Sequence, residues 1–312
     1  MQYWGVGARF RVFILSMAFC VFLPRKACSQ FLAPSDTLNK SRLILVSSVG
    51  AVGYTSSMIA LNELWYKDYP KSGFHFYDDN SSWMQVDKAG HMITSYQLGR
   101  YGYETLRWSG LGEKSSIWIG GNLGLFFLTG VEILDGHSAE WGFSYGDFIA
   151  NAGGTALFIG QQLAWGEQRA SLKFSYSASQ YADLRPETLG YGGLESVLKD
   201  YNGQTIWLSV NPSSFFLDKE SKLLPWLNVA FGYGADGMLG GNSNPAVNQD
   251  GRVLPEIQPY RQYYLSLDID LTRIQTQSHL LKTIFSVVGF IKVPAPAIEF
   301  SQGNVRWHWL HF

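Results

Sequence analysis

The sequence predicts an α+β chain: an N-terminal four-helix domain, all but the second of its helices long enough to cross a membrane and each also plausible in a water-soluble bundle, then an antiparallel, aromatic-rich β region. Three observations carry this. From about Lys40 to Trp165 the chain runs in apolar segments of helical length, and after Gly166 its hydrophobic period changes from helical to alternating. Polar clusters at helical spacing interrupt the first half, at Asp87-Lys88-x-x-His91, Glu132-x-x-Asp135 and Ser144-x-x-Asp147-x-x-Ala150-Asn151.

The elements follow in order. Arg9 and Arg11 precede an apolar run from Val12 to Leu23, and Ala27-Cys28-Ser29 supplies small residues for cleavage, the pattern of a secretory signal peptide over residues 1–29. The run is too short to span a bilayer comfortably. Cys28 offers a lipidation site, but Arg25-Lys26-Ala27 lacks the apolar residue such a signal carries three positions upstream, so cleavage after Ser29 is expected. Both cysteines lie in this leader, which leaves the mature chain without disulfides or thiol chemistry.

The helical domain is expected over residues 30–167. Leu43 to Leu61 is uncharged apart from its flanks, and its Ser and Gly residues, Gly50 and Gly53 among them, suit close helix packing. An aromatic loop follows from Tyr66 to about Ser81. Ser82 is placed to cap a second helix through Asp87, His91 and Tyr96 toward Arg107. A third is expected from Ser115 to Leu134, broken by Asp135-Gly136, and a fourth from Ser144 to Trp165.

The β region is expected over residues 168–312. Tyr263, Leu265, Leu267, Ile269 and Leu271 alternate with Ser266, Asp268 and Asp270, a two-sided strand. Asn228 to Ala235 alternates in the same way. Segments around Leu172–Ser179, Thr205–Asn211, Lys282–Val293 and Asn304–Phe312 bring the count to six or seven strands, with Pro294-Ala295-Pro296 read as a turn. The last, with Trp307, Trp309 and Phe312, resembles the terminal strand of an outer-membrane barrel, although a closed bacterial barrel needs at least eight strands.

Composition narrows the function classes. With 24 Lys plus Arg against 25 Asp plus Glu there is no field to attract nucleic acid. Aromatic content of 15%, including 11 Trp, fits side chains at a membrane interface, so a membrane or envelope component is the expected partner. No phosphate loop, dinucleotide fingerprint or nucleophile elbow occurs.

The clusters carry the chemistry. Ionisable groups in apolar helices are costly unless paired, and at spacings of three or four residues each cluster shares one face. Asp87, His91, Glu132, Asp135 and Asp147 would make a carboxylate-rich pocket with one imidazole, suited to a divalent metal ion of intermediate hardness, with His137 as a further ligand. Without metal, at least one carboxylate would take up a proton. The plainer reading is a structural polar network of Lys88, Ser144 and Asn151, with Ser144-x-x-Asp147 as a helix cap.

On these residues the chain resembles the YfiM-like family of predicted periplasmic proteins or lipoproteins. The motifs stand here as Asp87-Lys88-Ala89-Gly90-His91, Glu132-Ile133-Leu134-Asp135 and Gly142-Phe143-Ser144-Tyr145-Gly146-Asp147, within residues 80 to 165. It is similar, more distantly, to VanZ-like membrane proteins in the last motif. The resemblance implies an exported or membrane-associated protein and no known reaction, so no catalytic residue is assigned. The expectation is an accessory or structural envelope protein built around a buried polar site. A metal-dependent hydrolase of an envelope lipid or glycan is the alternative, and a protein like an outer-membrane β-barrel is the third reading.

Overall fold

In the computed structural model, which describes residues 33–67, 69–216 and 224–312, the helical half opens with α1, Lys40–Leu61, capped by the Asn39 side chain on the Arg42 amide. The expected leader, with its cleavage and lipidation signals, lies outside the described residues. No residue of α1 is buried, and a Cβ added at Gly50 or Gly53 would meet nothing within 4 Å, so these small residues seat no helix contact. The helix touches its neighbours through Tyr54, whose ring lies 5.2 Å from that of Phe126.

A π-helical turn, Asn62–Tyr66, leads into the aromatic loop, which contributes the two-residue strand β1, Phe76–Tyr77. The helix α2 spans Val86–Trp108. Ser82 does not cap it: its hydroxyl donates to Asn242 at 2.8 Å. Instead Trp83, Met84 and Gln85 take positive φ values of 48°, 49° and 70° just before the helix. Side-chain-bearing residues held there cost of order 1–3 kcal/mol each and persist only where their surroundings fix them. Here the β region fixes them. The Trp83 amide donates to the Gly241 carbonyl at 2.7 Å, and the Tyr233 hydroxyl donates to the Met84 carbonyl. The start of α2, and with it Asp87 and His91, is thereby set by the second half of the chain.

The third expected helix is two, α3 (Glu113–Gly121) and α4 (Leu123–Gly136), divided at Asn122. A short strand β2, Phe143–Ser144, pairs in parallel with β1 and delivers the chain to α5, Tyr145–Trp165. Glycine lets these helices approach. A Cβ at Gly124 would lie 2.2 Å from the Ser95 carbonyl oxygen, and one at Gly154 would lie 2.1 Å from that of Met92. Backbone contact of α2 with both α4 and α5 is what brings their polar residues into one volume. By length and composition, Lys40–Leu61 and Glu113–Gly136 could each cross a membrane; the second turns at Asn122 and buries a third of its length, packing as a core pair.

The β half is one six-stranded sheet in sequence order: β3 (Ala170–Tyr176), β4 (Gln204–Val210), β5 (Leu227–Asp236), β6 (Tyr260–Ile269), β7 (Ala295–Ser301) and β8 (Asn304–His311), antiparallel throughout. Two expectations fail here. Much of the strand expected over Lys282–Val293 is helical, in α6, His279–Val288, capped by the Ser278 hydroxyl on the Leu281 amide. The supposed turn at Pro294-Ala295-Pro296 instead opens β7. Its pairing with β8 shifts register between Ala295 and Ala297, and Pro296 sits at that irregularity, where a missing amide costs least. Short helical turns, Pro186–Leu189, Gly193–Lys199 and Ser213–Phe216, fill the connections.

Among the described residues no ladder joins the edge strands β3 and β8, so the sheet is not a closed barrel. It curls until they meet at one end, where the Ser177 hydroxyl donates to the Phe312 carbonyl at 2.8 Å. The backbone of Phe290 and Lys292 bonds Phe174 along the outer edge of β3. The main apolar core lies where the two halves meet: Ile93, Tyr96, Ile117, Phe158, Leu172 and Ile206 pack together between α2, α3, α5 and the first two strands. Each such large side chain contributes roughly 1.5–3 kcal/mol on full burial.

Candidate functional site

The three polar clusters converge. Asp87, Lys88 and His91 lie in the first two turns of α2, Glu132 and Asp135 near the end of α4, and Asp147 and Asn151 in the first two turns of α5. The local reasons are visible in the sequence. Ser144 caps α5, its hydroxyl oxygen accepting from the Asp147 amide at 3.0 Å, and this cap fixes where Asp147 and Asn151 point. The same hydroxyl donates to Asp79 at 2.5 Å, which ties the β1 loop to the helix start.

Lys88 fills one side. Its ammonium lies 2.8 Å from Asp79, 3.2 Å from Asp147 and 3.6 Å from Asp87. His91 fills the other. Its Nδ1 is 3.1 Å from the Asn151 side-chain oxygen and 3.6 Å from Glu132, and its Nε2 is 3.9 Å from Asp87. Because the Asn151 oxygen only accepts, the proton belongs on Nδ1, and in the neutral ring the Nε2 lone pair then turns toward Asp87. Asp87, His91 and Asp147 offer one ligand atom each, all within 4.8 Å of one another. This is the subset of the expected five that could share an ion.

The other two are held differently. Glu132 is almost completely buried; one oxygen accepts from the Ser144 amide at 3.1 Å, and the other has no hydrogen bond. Asp135 accepts from the Tyr66 hydroxyl at 2.7 Å. His137 faces away from the cluster, its ring 5.5 Å from that of Phe74. Arg100 belongs to a separate ion pair with Glu104 at 2.9 Å. Three partners were not legible as site residues: Asp79, Tyr66 and Tyr201, whose hydroxyl donates to Asp87 at 2.7 Å. Asp79 carried a signal, being an acid in a short polar run just before the first cluster. Tyr66 and Tyr201 carried none, since only the fold brings them near.

The electrostatics follow from burial and from an excess of acid, with Asp79, Asp87, Glu132, Asp135 and Asp147 set against Lys88 and His91. Burial, with Asp147 and Asp135 nearby, pushes Glu132 up to about 8. Burial also pushes Asp135 up to about 7, against the Tyr66 hydrogen bond. Asp147 rises to about 6 through burial and the Asp87 charge. Burial works against charge on His91 and Lys88 too, but the surrounding carboxylates outweigh it and raise both. Asp79 alone is lowered, because hydrogen bonds from Lys88 and Ser144 overcome its burial. The arrangement can therefore hold protons near neutral pH or trade them for a cation.

A cavity of about 270 Å³ lies beside this cluster, bounded by Tyr66, Tyr69, Leu134 and Ser138, with Tyr66 standing between it and Asp135.

No curated protein and no solved structure matches the chain, and nothing found supports the VanZ-like resemblance. A family model does match, and its description, predicted periplasmic lipoprotein, carries the location expected from the leader: exported and held at a membrane of the envelope. The match, to the family described as predicted periplasmic lipoprotein (DUF2279), runs over residues 74–160, the stretch that holds every member of the site except Tyr66 and Tyr201.

Proposed function

We propose that the protein serves the envelope in an accessory, membrane-associated role, and that its polar site works by holding a divalent cation between Asp87, His91 and Asp147. One observation carries this reading: two helices place two carboxylates and an imidazole within 4.8 Å, and Asp147 keeps a buried oxygen that makes no hydrogen bond, with only the Lys88 charge 3.2 Å away. Oxygen-rich sets with one imidazole suit divalent ions of intermediate hardness. Asn151 supports the set from behind, its side-chain oxygen accepting a hydrogen bond from His91 Nδ1–H so that Nε2 is the ligand. Lys88 lies closest to Asp79, at 2.8 Å, but also 3.2 Å from Asp147 and 3.6 Å from Asp87, so an ion on the His91 side would share both ligand carboxylates with its ammonium.

Metal analysis of the purified mature chain tests the reading. The wild-type protein is expected to hold about one divalent ion per chain, and Asp87→Ala and His91→Ala to lose it. A metal-free wild type whose substitutions cost stability alone would remove the basis for this role.

A second reading, a metal-dependent hydrolase of an envelope lipid or glycan, is favoured by Glu132. Its pKa of about 8 and its unbonded oxygen 3.6 Å from His91 suit a group that gives or takes a proton near neutrality. Hydrolysis of phospholipid or glycan by the metal-loaded chain, abolished in Glu132→Gln with the metal retained, would support it; no turnover on either would reject it.

A further inference from the structure

The sheet is inside out. In a water-soluble sheet the apolar face turns inward; here the inward face is polar and charged. Lys173, Asp268, Lys292 and Glu299 are at most 2% exposed, and they are paired inside the curl, Lys173 with Asp268 at 2.6 Å and Glu299 with His308 at 2.7 Å. The interior is filled rather than open: Trp207 packs on Tyr264 at 5.7 Å, with the Lys292 ammonium 4.9 Å from the Trp207 ring centroid.

The outward face is the reverse. The register joins Leu208, Phe231, Leu265, Ile298 and Trp307 as direct neighbours on five consecutive strands, without a polar residue in the row. A second row, from Tyr233 through Tyr263 and Phe300 to Val305, runs beside it and is equally free of charge. Phe231, Leu265, Phe300 and Trp307 are all exposed. Along β6 the apolar positions run from Tyr263 to Ile269, roughly 20 Å at about 3.3 Å per residue. At the ~35–45° tilt of strands that stand in bilayers, that length covers about 15 Å of the ~25 Å apolar band.

From this we infer that the outer face of β4–β8 lies against the acyl chains of an envelope bilayer. A protein partner would explain an apolar patch. It would not explain why the same strands bury their charges on the other side, which is the arrangement demanded when the medium outside is less polar than the interior. A second element makes the same demand independently: α1 is 22 residues long, apolar enough to cross a membrane, and has nothing buried. The surface therefore amounts to a membrane-embedded face on a sheet that is curled without being a closed barrel. This inference does not rest on the cation site, and either can fail alone.

Site-directed spin labelling of the chain without its leader, reconstituted in phosphatidylcholine vesicles, tests it. A label at Leu265→Cys is expected to collide with lipid-dissolved oxygen several-fold more than with a water-soluble nickel chelate. A label at Gln249→Cys, exposed in the loop between β5 and β6, is expected to show the opposite ratio. Leu265→Arg is expected to reduce vesicle insertion about tenfold or more while Gln249→Arg does not. Chelate access at position 265, or shielding there from both reagents as in a contact with a second chain, would overturn the assignment, as would a chain that washes off the vesicles in carbonate.

Discussion

Two of the buried charged networks among the described residues differ in balance. Inside the sheet, acids and bases meet: Asp268 lies between Lys173 at 2.6 Å and Lys292 at 4.0 Å, and Glu299 between His308 at 2.7 Å and Arg306 at 3.9 Å. Among the helices, acids outnumber bases, and burial pushes Glu132, Asp135 and Asp147 upward toward their protonated forms. A buried network in which every acid is flanked by bases leaves no carboxylate to be neutralised and fixes geometry. One with acids in excess is completed by protons or by a cation, which makes it responsive to its surroundings. The first is a means of shaping a sheet; the second has the character of a site.

The contrast can be broken most forcefully in the sheet. Asp268→Asn would leave two buried ammonium groups without their carboxylate and is expected to cost about 3–5 kcal/mol in denaturant unfolding. A cost under about 1 kcal/mol would mean that the lysines are already neutral or reach water, and the balance argument would fall.

Next in size is the pH response of the metal-free chain. Glu132, Asp135 and Asp147 have folded values raised above their unfolded ones, so protonation favours the folded state and stability declines as pH climbs from about 4.5 toward 8. His91, also raised, contributes stability at low pH that is lost as the pH rises, which is the same sign. Asp79 and Glu299, both lowered, contribute in the opposite sense, as does His311, which burial and the nearby His308 push down to about 4; their shares are lost as pH falls. Between pH 5 and 8 we expect a net loss of about 2–4 kcal/mol, much of it abolished in Glu132→Gln. Thermal melts that are flat across this window, or steeper in Glu132→Gln than in wild type, would contradict the assignment.

Smaller effects sharpen the local geometry. Ser144→Ala removes the α5 cap and the Asp79 contact and is expected to cost about 1–2 kcal/mol, with Ser144→Asp failing to restore it because a carboxylate there faces Asp79. Tyr201→Phe is expected to cost about 0.5–1.5 kcal/mol through the lost hydrogen bond to Asp87, measured as a shift in the urea midpoint.

What could be read from the sequence follows the range of the forces involved. The Ser144 cap and the facing of Asp87 with His91 are local, set within four residues, and spacing alone reveals them. Alternation in β6 is local too, and it shows two faces without saying which is inward; Tyr263 and Leu265 turn out to face outward. The α6 segment misleads because Ile284, Val287 and Val288 favour strands, whereas Leu280, Leu281, Ile284, Val287 and Val288 keep helical spacing behind a Ser278 cap. The left-handed turn at Trp83 to Gln85 exists because Tyr233 and Gly241 hold it, and no local preference announces it. Tyr66 and Tyr201 reach the site by the same long-range logic.

The central claim is that the acid-rich site among α2, α4 and α5 is a cation site. Calorimetric titration of the metal-free mature chain with Mn²⁺ at pH 7.5 addresses it directly. One ion per chain, with affinity weakened about tenfold or more in Asp147→Asn while the far-UV circular dichroism is unchanged, is the predicted result. Absence of binding heat together with a melting temperature unmoved by Mn²⁺ would contradict the account.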